Sequence, residues 1–392
     1  MVTYLKTLKC LLNPSFDMRI LMICPSLQIR SEWLFRLIDN LHGEITCIAT
    51  NELNPVRINI KQESLNPIQA KLLRKINEDI NLRFTYPGIL KKNENDYEIS
   101  VNYIHFLSFA KKFKNFIHNT SNPILIHCHG KDIMWDLKDF TTGQLVHGES
   151  YFEFIDSIKD RVYFIANSNF TRNQLLQKGV SEKRIFINHF GIDLMEKKTF
   201  NSSRTMKILY LGRLVDFKGP LETIKAFNMA CEAGMDGELI IAGRGELEEK
   251  CKEMVARSPF KSKIFLKGWV DKDQAEELYR TSDLFTAHNK IDEYTNQVEA
   301  FGVTIIEAMS YSLPVITGKC GGVEDSIRDG ETGYLIAPGN IEEHAEKFLK
   351  LYEDVGLRKK MGENARQRIK DHFSLKKEKQ GLKKILDKIT EE

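Results

Sequence analysis

Residues 297–322 read Gln-Val-Glu-Ala-Phe-Gly-Val-Thr-Ile-Ile-Glu-Ala-Met-Ser-Tyr-Ser-Leu-Pro-Val-Ile-Thr-Gly-Lys-Cys-Gly-Gly. Two glutamates, Glu299 and Glu307, stand eight residues apart. Between them, Phe301, Gly302, Val303 and Thr304 read as a turn that feeds the first turn of a helix. Pro314 stops that helix, because proline cannot continue it and disfavours helical geometry in the residue before it. Val315, Ile316 and Thr317 then form a short buried strand. Gly302 lets backbone come close to a ligand, and the amides of Gly302, Val303 and Thr304 would stand at a helix N-terminus, a ready anion site. The stretch therefore offers two carboxylates beside a phosphate-sized cradle, which suits the hydroxyls and the diphosphate of a nucleotide-sugar.

Outward from this stretch the chain alternates strand and helix twice. Residues 19–24 and 44–49 are strands flanking a helix at 31–41, and this parallel α/β opening continues through strands at 123–129, 161–166 and 184–189. Residues 67–81 and 101–117 read as helices bearing Lys71, Arg74 and Lys75, and Lys111, Lys112 and Lys114. Residues 196–204 are polar and unpatterned, as a linker is. A second series begins afresh at 207–211 and runs through 238–242, 264–266, 283–288 and 334–336, and three helices close the chain. The fold class is thus α/β, with two doubly wound Rossmann-like domains and a cleft between them. Such folds bind ligands at the C-terminal ends of their strands. The boundaries are an extension at 1–17, a first domain at 18–197, a second at 198–374 and a helix at 375–392 that packs back on the first domain.

Composition narrows the class. The 392 residues are 42% hydrophobic and 28% charged with a net charge of +3, which is a globular chain with neither the basic excess of a nucleic-acid binder nor an acidic tail. No apolar run is long enough to span a bilayer. Seven scattered cysteines without a CxxC pair argue against a thiolate zinc or redox site and fit a reducing cytoplasm.

Four motifs bear on chemistry. The loop from Gly212 to Gly219 follows a strand and precedes a helix opened by Pro220. In it Arg213 can fork onto phosphate oxygens and Lys218 can add a point charge. His127 and His129 are two apart on a strand and face one way, but no third ligand is read beside them, so no metal is assigned. Asp271 and Asp273 precede a helix, where capping accounts for them. Gly243-Arg244-Gly245 lacks the third glycine and the following acid of a dinucleotide site, which argues against NAD.

Arg213, Lys218, Glu299 and Glu307, in this order, spacing and context, resemble the donor site of family-four retaining glycosyltransferases with the GT-B fold, and the resemblance covers most of residues 18–372. It implies metal-independent transfer, with retention, from a nucleoside-diphosphate sugar as co-substrate, with no cofactor. It also implies donor contacts from Arg213, Lys218, the Phe301-Gly302-Val303-Thr304 turn and Glu307, the last on the ribose, and from Gly268, Trp269 and Val270 around the base. His129, in His129-Gly130-x-Asp132, resembles the family's active-site histidine and, with Glu299, would orient the transferred sugar. The loop after the first strand lacks the family's usual glycine pair. Its Ser31-Glu32 instead resembles polysaccharide-building members, although Ser31 as a helix N-cap explains the dipeptide as well. The implied acceptor is a glycan or lipid-linked sugar, with peripheral contact at the inner face of a membrane through the basic helices of the first domain. A phosphorylase-like enzyme on the same fold would need a pyridoxal-bearing lysine that the sequence does not display. A non-catalytic nucleotide-sugar-binding protein is disfavoured by the intact quartet.

Overall fold

The structure is a computed structural model. It describes the backbone strands Arg19–Cys24, Glu44–Asn51 and Asn54–Ile60 and residues 100–195 and 205–391. The expected helices at 31–41 and 67–81, the Ser31-Glu32 dipeptide, the leader and the linker lie outside the described residues.

Two sheets carry the architecture. The first has β1 (Arg19–Cys24), β2 (Glu44–Asn51), β3 (Asn54–Ile60), β4 (Val101–His105), β5 (Ile124–Cys128), β6 (Tyr163–Ala166) and β7 (Ile185–Ile187), in the order β3-β2-β1-β4-β5-β6-β7. All neighbours are parallel except β2 and β3. The second has β8 (Met206–Leu211), β9 (Gly237–Ala242), β10 (Ile264–Gly268), β11 (Leu284–Ala287), β12 (Val315–Gly318) and β13 (Gly333–Ile336), in the order β10-β9-β8-β11-β12-β13, all parallel. Order 3-2-1-4-5-6 reverses direction between its first and fourth strands, and that switch point is where such sheets hold ligands. Here it lies between β8 and β11, whose following loops carry Arg213 and Lys218, and Glu299.

Burial explains why these segments are strands. Val101–His105 and Ile124–Cys128 are buried at every position, as parallel strands covered on both faces must be. The helix expected over 101–117 is corrected accordingly: Val101–His105 is strand β4, and helical turns begin only at Leu107. A five-residue run holding Val101, Tyr103 and Ile104 has no period that separates a buried strand from a buried helix. Lys111, Lys112 and Lys114 do lie on the helical turns, where Lys111 Nζ donates to Ser150 Oγ at 2.8 Å.

Each domain has its own core. Phe227, Phe285, Ile306, Ile316 and Phe348 are buried in the second, and Leu107, Phe154, Ile158 and Phe164 in the first. A small cluster of Met134, Leu137, Val298, Ala300 and Cys320 joins them. Polar contacts also cross over. Ser168 Oγ donates to the Ala300 carbonyl at 2.7 Å, and Asp325 accepts from the Asn169 amide at 2.6 Å and from His189 Nε2 at 3.0 Å. The closing helix Leu375–Glu391 lies against the first domain, where Glu378 accepts from the Gly191 amide at 3.1 Å and Lys388 sits over Phe186.

Asp271 caps the helix Lys272–Thr281: its carboxylate accepts from the Gln274 amide at 2.9 Å, and the Gln274 side chain accepts from the Asp271 amide at 3.0 Å. Asp271→Ala should therefore cost about 1 kcal/mol in urea unfolding. Asp273→Ala should cost only a few tenths of a kcal/mol, as an acid in a first turn does. Equal losses at both positions would remove the capping explanation.

Candidate active site

A cavity of about 460 Å³ opens between the domains. The second domain lines it with Gly212, Arg213, Phe217, Lys218, Val298, Glu299 and Thr304, and the first with His129, Lys131 and Met134.

The loop after β8 is braced from below. The Tyr210 hydroxyl donates to the Arg213 carbonyl at 2.9 Å, and the Lys290 amide donates to the Phe217 carbonyl at 3.0 Å. The buried Lys290 ammonium pairs with Asp216 at 2.9 Å and Glu222 at 3.2 Å. Burial works against its charge, but those two carboxylates outweigh it and hold its pKa above the usual lysine value. With the loop so fixed, Arg213 is exposed with its guanidinium over the Phe217 ring, and Lys218 forms an ion pair with Glu299.

Glu299 is the meeting point. Oε2 takes Lys218, and Oε1 accepts from the Gly302 amide at 3.1 Å. Burial alone would push its carboxyl up. The Lys218 ammonium and the Phe301 and Gly302 amides outweigh burial and hold it below the usual carboxylate range. The expectation that the Gly302 amide faces a ligand is thereby corrected: Glu299 uses it. The cradle falls instead to Val303 and Thr304, the first residues of the helix Val303–Ser310, whose amides have no acceptor within the helix. Gly302 holds φ +88° as the cap of that helix, a conformation that a side chain there would strain.

Glu307 lies one turn beyond Thr304 on the same helix face. Its Oε2 accepts from the Tyr279 hydroxyl at 2.9 Å, and Tyr279 stacks on Tyr311. Gly268 ends β10, and Trp269 beside it is 63% exposed, a bare indole at the C-terminal edge of the sheet. Gly268, Trp269 and Val270 do not line the cavity itself. Neither does the Phe301 ring, which the structure buries against Phe190, His189 and Phe373. An aromatic residue before a helix cap serves core packing as readily as a ligand, and the sequence alone did not distinguish the two.

His129 is partly buried at the first-domain wall. The Asp132 carboxylate fixes its backbone, accepting from the amides of His129 and Gly130 at 2.9 Å each and of Leu107 at 2.8 Å. Gly130 has φ +118°, and a Cβ there would stand 2.4 Å from the Ala300 Cβ across the cleft, so only glycine fits. The imidazole of His129 packs on Phe106 and on His127, and its Nε2 lies 3.2 Å from His105 Nδ1. Burial holds all three imidazoles neutral, His127 down to about 3. His105 adds a third imidazole to His127 and His129. It stands 22 positions before His127 in the chain and opposite it in register, on the neighbouring strand. Lys131, Met134 and the Lys290 brace were not singled out, because each acquires its place only through folding.

Two Rossmann-like domains, with a cavity between them at the switch point of the second, are the GT-B architecture. Residues 191–368 match the family model for Glycosyl transferases group 1. The chain is 25% identical over 292 residues to an uncharacterized glycosyltransferase of Methanocaldococcus jannaschii, covering 72% of this chain and 70% of that one. It is 30% identical over 167 residues to a capsular polysaccharide biosynthesis glycosyltransferase of Staphylococcus aureus, covering 42% and 41%. An Anabaena protein solved in complex with UDP and glucose superposes with TM-score 0.68 at 18% identity, over 95% of this chain and all of that one, a likeness of fold. The chain has GT-B architecture, and its second domain matches glycosyltransferases of group 1.

A carboxylate held low by a buried lysine stabilises the fold above its unfolded-state pKa of about 4.3 and ceases to do so as pH falls through its lower folded value. Glu299→Gln should therefore remove part of the acid limb of the wild-type stability profile below pH ~4.3. Parallel wild-type and variant curves of urea midpoint against pH below that value would contradict the assignment.

Proposed function

We propose that the protein transfers a sugar, with retention at the anomeric carbon, from a nucleoside-diphosphate sugar to a glycan or lipid-linked acceptor in surface-polysaccharide assembly. The observation that carries this reading is the cavity itself, which sets Arg213, Lys218 and Thr304 from one domain opposite His129 from the other.

In this reading the diphosphate rests on Arg213, Lys218 and the amides of Val303 and Thr304. Fixed donors aimed at charge that grows as the bond breaks stabilise the transition state with little reorganisation. Glu307 takes the ribose hydroxyls, with Tyr279 holding its other side. Trp269, between Gly268 and Val270, offers a face for the base. His129 and Glu299 orient the sugar. Both oxygens of Glu299 already have partners, which suits orientation rather than nucleophilic attack. In a same-face displacement the leaving phosphate oxygen takes the acceptor proton, so no side-chain base is required. The cationic side chains and helix amides supply the charge that a magnesium or manganese ion would otherwise bring. The Anabaena protein solved with UDP and glucose makes uridine diphosphate sugars the first donors to test.

No described helix is long and apolar enough to cross a membrane. A lipid-linked acceptor would be met at the membrane surface, where each nearby basic residue adds about 1 kcal/mol against anionic lipid. Lys112 and Lys114 are exposed and suited to that contact.

A panel of uridine, guanosine and adenosine diphosphate sugars, scored for slow donor hydrolysis, tests the reaction class; no turnover of any donor would sink it. Glu307→Ala should weaken nucleoside-diphosphate binding roughly 10- to 100-fold, the worth of a hydrogen-bonded carboxylate. Unchanged affinity by calorimetry would remove the ribose role. Turnover should need no added magnesium or manganese. Its loss in EDTA, with recovery on adding either of these and not zinc, would assign the diphosphate to a metal instead.

A further inference from the structure

We propose that His105, His127 and His129 form a binding site for a late first-row divalent ion, zinc first, in the wall of the first domain. Among the described residues this is the one group of three such side chains whose ligand atoms all lie within 4.8 Å of one another. Two strands and a strand end build it: His105 closes β4, His127 lies opposite in register on β5, and His129 follows β5 by one residue.

The geometry suits coordination. His105 Nδ1 and His129 Nε2 are 3.2 Å apart. Metal–nitrogen bonds of roughly 2.0–2.1 Å at a tetrahedral angle place ligand nitrogens about 3.3 Å apart. His127 is 1% exposed, and its Nε2 is buried with no hydrogen-bond partner among the described residues. Its other nitrogen, Nδ1, meets the Tyr103 hydroxyl at 2.9 Å. With Nδ1–H donating to that hydroxyl, the ring is held and Nε2 is left as a lone-pair donor, the arrangement of a metal-bound histidine. A stack of imidazoles without an ion would also give the 3.2 Å contact. It would leave the His127 nitrogen buried and unspent, which is costly. The Asp132 carboxylate, bonded to the His129 amide, brings negative charge to the same corner. His129 borders the cleft, so an ion can enter past that ring.

Three nitrogens and no thiolate select zinc, copper or nickel over magnesium and manganese, which prefer oxygen. This ion is therefore separate from any on the donor diphosphate. It would tie β4 to β5 and fix the orientation of His129.

The test uses the full chain, stripped with chelator, dialysed against ZnCl2 and assayed for bound metal. The wild type should retain about one zinc per chain more than His105→Gln or His127→Gln. Zinc should also raise the wild-type Tm by roughly a few degrees and leave the variants' Tm unmoved. No retention by the wild type, or equal retention by folded variants, overturns the site. Should a variant fail to fold, CoCl2 added to the wild type decides alone. Intense visible bands of a tetrahedral ion support the site, and the weak spectrum of an octahedral one overturns it.

Discussion

The partly buried ion pair between Glu299 and Lys218 is the constraint on which the cleft depends. It joins the loop after β8 to the turn after β11, the two strand ends that flank the switch point of the second sheet. A carboxylate there is tolerable only because an ammonium and backbone amides compensate it. Those partners set the surroundings in turn. Lys218 is held against the cavity instead of extending into water, and the Gly302 amide is spent on Glu299 at the start of the helix whose Thr304 lines the cavity. Behind the pair, Lys290 performs the same service for the loop through Asp216 and Glu222. The second-domain side of the cleft is thus two layers of compensated charge.

The facing wall is built from different material. The first domain presents neutral imidazoles and aromatic rings, with Phe106, His127 and Phe190 stacked about His129. Of these rings His129 borders the cavity, beside Lys131 and Met134 and opposite Arg213 and Lys218. That arrangement requires the domains to stay in register. Ser168 with Ala300, Asp325 with Asn169 and His189, and the contact of Gly130 with Ala300 supply that register at the same rim where His129 and Glu299 meet the cavity. Asp325 is itself a compensated acid: burial pushes its carboxyl up, and the hydrogen bonds from His189 and Asn169 more than offset this.

Much of this was legible in the sequence, for identifiable reasons. Buried parallel strands are short apolar runs, and loops at their ends carry glycine and charge. The second domain therefore reads almost strand for strand, from Met206–Leu211 to Gly333–Ile336. Pro314 and Pro220 mark helix boundaries because their ring geometry permits little else. Local chemistry was legible too, as with the Asp271 cap. Val101–His105 was not, because five buried residues carry no period. Nor was the inward turn of the Gly302 amide, because which acceptor an amide finds depends on a carboxylate's rotamer rather than on spacing.

His105 and Lys290 mark the limit of reading along a chain. Neither shows its partners where it stands: a histidine ending an apolar run, and a lysine in a polar loop. Their roles come from neighbours that only the sheets bring close, β4 beside β5 in one domain and the loops after β8 and β11 in the other. Parallel sheets make such juxtapositions systematically. Each crossover separates adjacent strands by a helix and its loops, so residues at neighbouring strand ends are distant in sequence. Because ligands bind at those ends, the residues that complete a site in this fold are the ones that sequence spacing reveals least. The motif residues, confined to single loops, are the ones it reveals best.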